Sequence, residues 1–272
     1  IELIRSIPNH NDDGVLNTAI TRRQVTGVAV AGDAANPVIY VGSSDPREGG
    51  GSGGGKGDTG LDTNSGVISR LTWNGASWEK LDLVRGLPRS EENHSTNGLA
   101  LDVDPETGHR ILLVAQGGHT NAGAPSANFA FGSEYALSAA ILKLDLTTLE
   151  SGAGDFAVKS DGASEYVYDL PTVLGPVFGG RDGLNQARLV EGGPVSVYSS
   201  GWRNAYDLTI TESGELYTID NGANEGWGGL PDGEGSPQPT NKLPVDDPNG
   251  FQSVNNLDHL ERVAGPGYYG GH

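Results

Sequence analysis

Three short polar clusters carry side chains that can move a proton or hold an anion: Arg23-Gln24, Asn93-His94 and Arg203-Asn204. Histidine takes up and releases protons near neutral pH, and arginine forms charge-assisted hydrogen bonds with anions. Amide side chains both donate and accept hydrogen bonds. The three clusters are far apart in the sequence, so only the fold could join them into one site.

An apolar run follows each cluster, and a second apolar run returns after a turn. The first runs occupy residues 27–30, 98–101 and 207–210, and the second runs occupy residues 37–41, 111–114 and 215–219. Short runs rich in Val, Ile, Leu and Tyr, bounded by turn residues, are typical of β-strands. If the three hairpins are equivalent units around one axis, the polar clusters converge on one opening.

The first unit continues into two further strands, because residues 66–73 end at Asn74-Gly75, a strong hairpin signal, and an apolar run resumes at Trp78. Four strands in this order are what one blade of a β-propeller requires. The other units repeat the pattern in part, with turns at 104–108 and 212–214, third strands at 139–146 and around 259–263, and a fourth strand at 165–170. We therefore predict an all-β fold, a β-propeller of four-stranded antiparallel blades.

Long polar links join the second and third strands, at residues 49–60, 117–134 and 222–249. In a propeller these links share a face with Gln24, His94 and Arg203, so one face is elaborated. Three units are fewer than the usual 4–8 blades. We expect residues 1–272 to be a single β-propeller domain or the N-terminal larger part of one, with an incomplete ring that further polypeptide completes.

The chain has 272 residues and a formal net charge of −18, with no cysteine and no methionine. This acidity argues against nucleic acid and anionic membrane surfaces as partners. Without cysteine there is no disulfide, thiol nucleophile or thiolate metal site. No run approaches the ~20 apolar residues of a membrane span. The composition suits an acidic secreted protein, so we expect a periplasmic or extracellular location.

Two segments, residues 94–102 (HSTNGLALD) and 201–224 (GWRNAYDLTITESGELYTIDNGAN), resemble the soluble quinoprotein glucose/sorbosone dehydrogenase family. The resemblance extends over most of residues 24–224. It implies a six-bladed β-propeller that uses pyrroloquinoline quinone (PQQ) and Ca²⁺ to oxidise sugars. The expected partners are then a sugar substrate and an external electron acceptor.

The resemblance also implies roles for individual residues. His94 would be the catalytic base, and Arg203, Asn204 and Gln24 would contact the cofactor. The implied Ca²⁺ site lies in one loop and comprises Asp220, Gly222, Ala223 and Asn224, of which Gly222 and Ala223 would bind through their backbone carbonyls. The loop departs from the family pattern, because Ala223 stands in place of a proline and Asn221 in place of a histidine.

These observations predict a PQQ- and Ca²⁺-dependent dehydrogenase that oxidises an aldose or pyranose by hydride transfer to the quinone. The alternative is a non-catalytic propeller module of a larger secreted or surface protein, which binds glycans or protein through the elaborated face. A Ca²⁺-dependent lactonase-type propeller is a third, weaker alternative.

Several other side chains are open to two interpretations. His119 could line the cleft, but its setting favours an exposed loop histidine. Four aromatic residues could stack on a sugar ring or simply pack in the core or loops: Trp202, Trp227, Tyr268 and Tyr269.

Overall fold

The computed structural model describes residues 3–10, 15–47, 63–173, 186–224, 227, 230–231, 239–240 and 257–272. The predicted link 49–60 lies outside these residues, and so does most of the link 222–249. The described chain is mainly β-structure, arranged in several antiparallel sheets, so the predicted all-β class is confirmed. Within it, no helix is long and apolar enough to cross a membrane.

The strands run in chain order as β1 Gln24–Gly32, β2 Pro37–Ser44, β3 Gly66–Trp73, β4 Trp78–Leu87, β5 Thr96–Val103, β6 Arg110–Gln116, β7 Ala140–Asp145, β8 Lys159–Ser160, β9 Glu165–Asp169, β10 Val195–Ser200, β11 Ala205–Ile210, β12 Leu216–Asp220, β13 Leu230–Pro231, β14 Pro239–Thr240 and β15 His259–Val263. One short α-helix in the described chain, α1 Leu146–Leu149, follows β7, and 3-10 turns occupy Ala127–Phe129 and Gly154–Phe156.

The first sheet has the strand order β1-β2-β3-β4-β9-β8. Its first four strands pair antiparallel in chain order, as predicted. The predicted tight turn joins β3 to β4, where the Asn74 side-chain oxygen accepts from the backbone N–H groups of Ala76 (3.0 Å) and Ser77 (2.8 Å). Gly75 has a φ of +95°, a backbone conformation that glycine adopts without strain.

The second sheet has the order β10-β7-β6-β5, which corrects one prediction. The fourth strand of this unit is β10, whereas the predicted segment 165–170 contains β9, which pairs in parallel with β4 of the first sheet. Arg85 explains this placement, because its guanidinium pairs with Asp169 at 2.7 Å and Asp161 at 2.6 Å. It also lies 3.6 Å from the ring centroid of Tyr166. These long-range contacts leave no trace in local strand propensity.

The third sheet has the order β11-β12-β15, so the predicted third strand around residues 259–263 is confirmed. Strands β13 and β14 form a separate two-stranded pair.

The second sheet is buried on both faces, because alternate residues of β6 enter two different cores. Leu112 and Val114 pack in the core shared with the first sheet. Ile111 and Leu113 pack on the opposite face with Trp202 of the core shared with the third sheet. Because successive side chains of a strand point to opposite faces, β6 contributes to both sheet interfaces.

The first strands of the three sheets lie side by side, β1 against β5 and β5 against β11. Glycine permits this approach. A Cβ atom on Gly27 would collide with the carbonyl oxygen of Asn97, and a Cβ atom on Gly98 would lie 2.5 Å from Cα of Asp207. The sheets therefore meet along the residues that start the predicted apolar runs: Gly27, Gly98 and Asp207.

Each first strand also carries a register shift, the mark of a β-bulge, near its start. The shifts lie between Val25 and Gly27 in β1, between Thr96 and Leu99 in β5, and between Ala205 and Asp207 in β11. Bulges re-aim side chains out of the regular ladder. The repeated bulge therefore places side chains at the same edge of all three sheets.

Candidate functional site

A cavity of about 370 Å³ lies where the three first strands begin. Its lining includes the predicted cofactor and catalytic residues Gln24, His94, Arg203 and Asn204. Gly222 and Asn224, two of the predicted Ca²⁺ ligands, also line it. The side-by-side packing of β1, β5 and β11 thus brings the three distant polar clusters to one opening. Their chemical roles remain predictions.

His94 lies in the cavity wall as a buried imidazole with one ring nitrogen held by the backbone. Its side chain is buried, with 2% of the residue exposed, and its Nδ1 lies 2.9 Å from the carbonyl oxygen of Gly118. Because a carbonyl only accepts, Nδ1 carries the hydrogen and Nε2 of the neutral ring carries the lone pair. Burial lowers the pKa of His94 well below its usual value, and the charge of Arg203 lowers it further. The imidazole is therefore neutral at neutral pH.

Two consecutive glycines, which we did not predict as site residues, form the support beneath this histidine. A Cβ atom on Gly117 would lie 2.6 Å from Oδ1 of Asn204 and 2.7 Å from Cβ of His94. The backbone N–H of Gly118 donates to the carbonyl of Arg203 at 2.8 Å. The Gly-Gly pair directly after β6 was the available sequence signal, since adjacent glycines often mark close backbone approach.

Arg203 brings a positive charge to the cavity wall, and its guanidinium is held by Asn121. Its Nε donates to the carbonyl oxygen of Asn121 at 3.1 Å, and its Nη2 donates to Oδ1 of the same residue at 3.1 Å. Within the described part of the chain, the guanidinium forms no ion pair. Burial lowers the pKa of Arg203 from its usual value, although nearby carboxylates oppose this. The guanidinium can therefore donate charge-assisted hydrogen bonds to a ligand, in a setting that also contains carboxylates.

Asp220 and Asn204 hold the start of β11 in place. The Asp220 carboxylate accepts from the backbone N–H of Arg203 at 3.0 Å and from that of Asn204 at 2.7 Å. The Asn204 side chain accepts from Asn97 at 2.8 Å and donates to Asn221 at 2.8 Å. Burial raises the pKa of Asp220, while the two N–H groups counteract this. The hydrogen bonds of both side chains therefore hold the start of β11 in position.

The predicted Ca²⁺ ligands lie on two sides of their loop. Asp220 and Ala223 line a second cavity of about 360 Å³, which shares Arg203 and Gly222 with the first. The backbone of Asn224 is held by Asn121, which donates to its carbonyl at 3.1 Å and accepts from its N–H at 2.9 Å. Among the residues described, no group of three or more His, Asp or Glu side chains is placed to hold a metal.

The carbonyl groups of Gly222 and Ala223 are the best-suited cation ligands of this loop. Neither oxygen accepts a hydrogen bond from any described residue, and hard cations such as Ca²⁺ bind carbonyl oxygens. The carbonyl of Asn224 is already engaged by Asn121. Within the described chain, the loop that follows Asp220 therefore offers two backbone oxygens that accept no hydrogen bond.

His119 is not an exposed loop residue, so that prediction is wrong. Only 3% of it is exposed, it lines neither cavity, and its Nε2 has no partner among the described residues. Its backbone N–H donates to Glu134 at 2.8 Å. Thr120 and Ser138 donate their hydroxyl groups to the same carboxylate at 2.8 and 2.6 Å. Residues 117–121 are thus buried, and Glu134 ties them to the later part of the predicted link.

Glu134 should make the fold acid-sensitive. Burial raises its pKa, but the hydrogen bond with His272, the charge of His119 and the bond with Ser138 outweigh this and lower the pKa from 4.5 to about 2. The unfolded chain then binds the proton more readily, so stability should fall as the pH drops from about 4.5 towards about 2. Chemical unfolding of the wild type and Glu134→Gln across this range should show a weaker pH dependence in the variant. Equal slopes would contradict this role.

The four aromatic residues that could stack on a sugar ring lie in different settings. Trp202 is fully buried and stacks on Tyr268 at a centroid distance of 5.9 Å, so both belong to packing. Tyr269 packs over Gly201 and donates its hydroxyl to the carbonyl of His272. Trp227 contacts the ring of Phe129 at 6.1 Å. None of the four lines the first cavity, whereas Tyr206, which we did not predict, does.

Comparison with known proteins adds no family assignment. No protein-family model matches the chain. No curated protein matches it either.

Proposed function

We propose that the chain is a sugar dehydrogenase-like β-propeller that uses PQQ and Ca²⁺. The observation that carries the proposal is the state of His94, a neutral imidazole whose Nδ1–H is held by Gly118 and whose Nε2 lone pair is left for a substrate. It lies in the same cavity as an arginine that forms no ion pair within the described chain. A neutral base beside a cationic hydrogen-bond donor suits cofactor-dependent alcohol oxidation.

The protein's part in the reaction is proton transfer and orientation. Nε2 of His94 takes the proton of a sugar hydroxyl as the hydrogen on the adjacent carbon departs with its electron pair, which leaves a carbonyl group. A bound quinone supplies the acceptor for that hydride. Arg203 would hold the cofactor through charge-assisted hydrogen bonds and would stabilise negative charge on it. Gln24, which lines the same cavity, supplies an amide donor and acceptor for hydroxyl or quinone oxygens.

The residues around the two cavities include candidate ligands for both PQQ and Ca²⁺. Arg203 suits the carboxylates or quinone oxygen of PQQ, because among the described residues its guanidinium is held by the neutral Asn121. The carbonyl groups of Gly222 and Ala223, with Asp220, would hold Ca²⁺. Asn224 would contribute only through its side chain, since Asn121 engages its backbone.

Two features support a propeller that further polypeptide completes. The same packing step, first strand beside first strand, relates the first sheet to the second and the second to the third. Apolar side chains remain exposed on both outer sheets, with Val28 and Val30 on β1 and Ile219 and Leu260 on β12 and β15. Additional sheets packed in the same way would cover them. A secreted location is part of this proposal.

A non-catalytic glycan-binding module is the second candidate. It is favoured by the neutral polar groups of the first cavity. The side chains of Gln24, Asn93 and Asn224 form no hydrogen bond with any described residue, although all three line this cavity. Free amides of this kind suit sugar hydroxyl groups whether or not a cofactor binds.

Titration with PQQ and Ca²⁺ tests the dehydrogenase proposal. We expect saturable binding in the quinone absorbance, followed by bleaching when an aldose is added. Arg203→Met should weaken PQQ binding by roughly 10- to 100-fold, because a hydrogen bond to a charged group is lost. Arg110→Met is the matched control, since Arg110 pairs with Glu150 and lines neither cavity. Absence of binding to folded wild-type protein would exclude the dehydrogenase and favour the binding module.

A further inference from the structure

The three β-bulges form a second layer of the first cavity. The residues without a ladder partner at these bulges include Thr26 in β1, Asn97 in β5 and Tyr206 in β11. All three line the cavity. They lie two or three residues beyond Gln24, His94 and Asn204 along the chain, on the side towards the close contacts of Gly27 and Gly98. The cavity therefore has a layer of polar side chains at the strand starts and a bulge layer beneath.

Only Tyr206 in the bulge layer has a side chain left for a ligand. The hydroxyl group of Thr26 donates to the carbonyl of Thr96. Asn97 donates to Asn204 at 2.8 Å and to the carbonyl of Ala205 at 3.0 Å. Tyr206 is 55% exposed, and its hydroxyl group forms no hydrogen bond with any residue that the structure describes. A phenol ring exposed in a cavity offers both an apolar face and a polar edge.

The side chains that line the cavity together with Tyr206 match one class of ligand. Gln24, Asn93 and Asn224 present amides without partners in the described chain, which donate and accept hydrogen bonds as hydroxyl groups do. Tyr206 is the aromatic residue lining this cavity in the described chain. A pyranose combines a rim of hydroxyl groups with an apolar face of C–H groups. Amides around one aromatic face are complementary to that shape.

We propose that Tyr206 is the stacking platform for the pyranose ring of the ligand, and hence a residue that determines sugar specificity. The inference rests on the sugar-binding part of the proposed function and extends it to a named contact. Stacking on Tyr206 would orient the ring so that its hydroxyl groups meet the amides and His94. It requires no covalent step of its own.

NMR titrations of D-glucose, D-galactose and D-xylose, with and without PQQ and Ca²⁺, test this assignment. The variants are Tyr206→Ala, Tyr206→Leu and Tyr206→Phe. We expect at least one sugar to bind the wild type, with affinity reduced roughly tenfold by Ala and Leu and changed less than about twofold by Phe. Trp73→Leu, at an exposed aromatic residue of the β3–β4 hairpin outside the cavity, should bind as the wild type does.

The outcomes separate this proposal from the dehydrogenase proposal. Sugar binding that depends on Tyr206 without any PQQ binding would uphold the stacking role and exclude the dehydrogenase. Sugar binding unaffected by Tyr206→Ala would overturn the stacking role even if PQQ binds and is reduced. Failure of the folded wild type to bind any of the three sugars, with or without cofactor, would also overturn it.

Discussion

Replacing His94 by alanine is expected to lower kcat for sugar oxidation by about 10²- to 10⁴-fold, the usual contribution of a positioned general base. PQQ binding should persist, because Arg203 is held by Asn121 and Asp220 and not by the imidazole. The expected loss of kcat is large because Nδ1 donates to the carbonyl of Gly118, so that the lone pair of Nε2 can accept the substrate proton. Stopped-flow reduction of bound quinone measures the step directly.

His109→Gln is the control for this experiment. His109 pairs with Asp145 at 2.7 Å and lines neither of the two cavities around Arg203. Its replacement should leave turnover unchanged. A His94→Ala protein that is folded, binds PQQ and keeps full activity would contradict the base assignment.

The pH profile gives an independent test of the same histidine. Burial and then the charge of Arg203 lower the pKa of His94, so the base is ready for proton uptake at neutral pH. Arg203→Met removes the second cause and should raise that pKa. At saturating PQQ, the acid limb of kcat/KM should therefore move to higher pH. An unchanged limb would show that another group accepts the proton.

Gly98→Ala is expected to destabilise the fold by about 2–3 kcal/mol, as overpacking in a tight interface does. Its new Cβ atom would lie 2.5 Å from both Cα and Oδ1 of Asp207 and 2.9 Å from the backbone nitrogen of Leu208. Backbone atoms cannot rotate away, so β5 and β11 must separate. The neighbouring Asn97–Asn204 bond should then lengthen and weaken the site as well.

Gly42→Ala is the matched control, because its Cβ atom would meet its nearest neighbours at 3.3 Å. This glycine also lies at the interface of the first and second sheets, and we expect its substitution to cost less than about 1 kcal/mol. Urea unfolding of the two variants and the wild type gives the comparison. Equal stability of Gly98→Ala and Gly42→Ala would mean that β5 and β11 are not in close contact.

Local chemistry made several elements predictable. The Asn74-Gly75 turn has a side-chain oxygen and a positive φ that suit one tight hairpin, and short apolar runs lie on both sides of it. The pairing of β12 with β15 was also predictable, although a long link separates them. By contrast, residues 165–170 have strand propensity that fits either sheet, and the ion pairs of Arg85 place β9 against β4.

The sequence by itself determined the all-β class, the three hairpins and the polar residues that precede each first strand, because turn residues and short apolar runs act over a few neighbours. Only the tertiary structure decided that Gln24, His94, Arg203 and Asn204 share one cavity, that Gly117 and Gly118 support them, and that Tyr206 faces them from a bulge. It also decided that His119 is buried and that the candidate calcium loop divides two cavities. These features depend on contacts between residues far apart in the chain, whose energies no local pattern records.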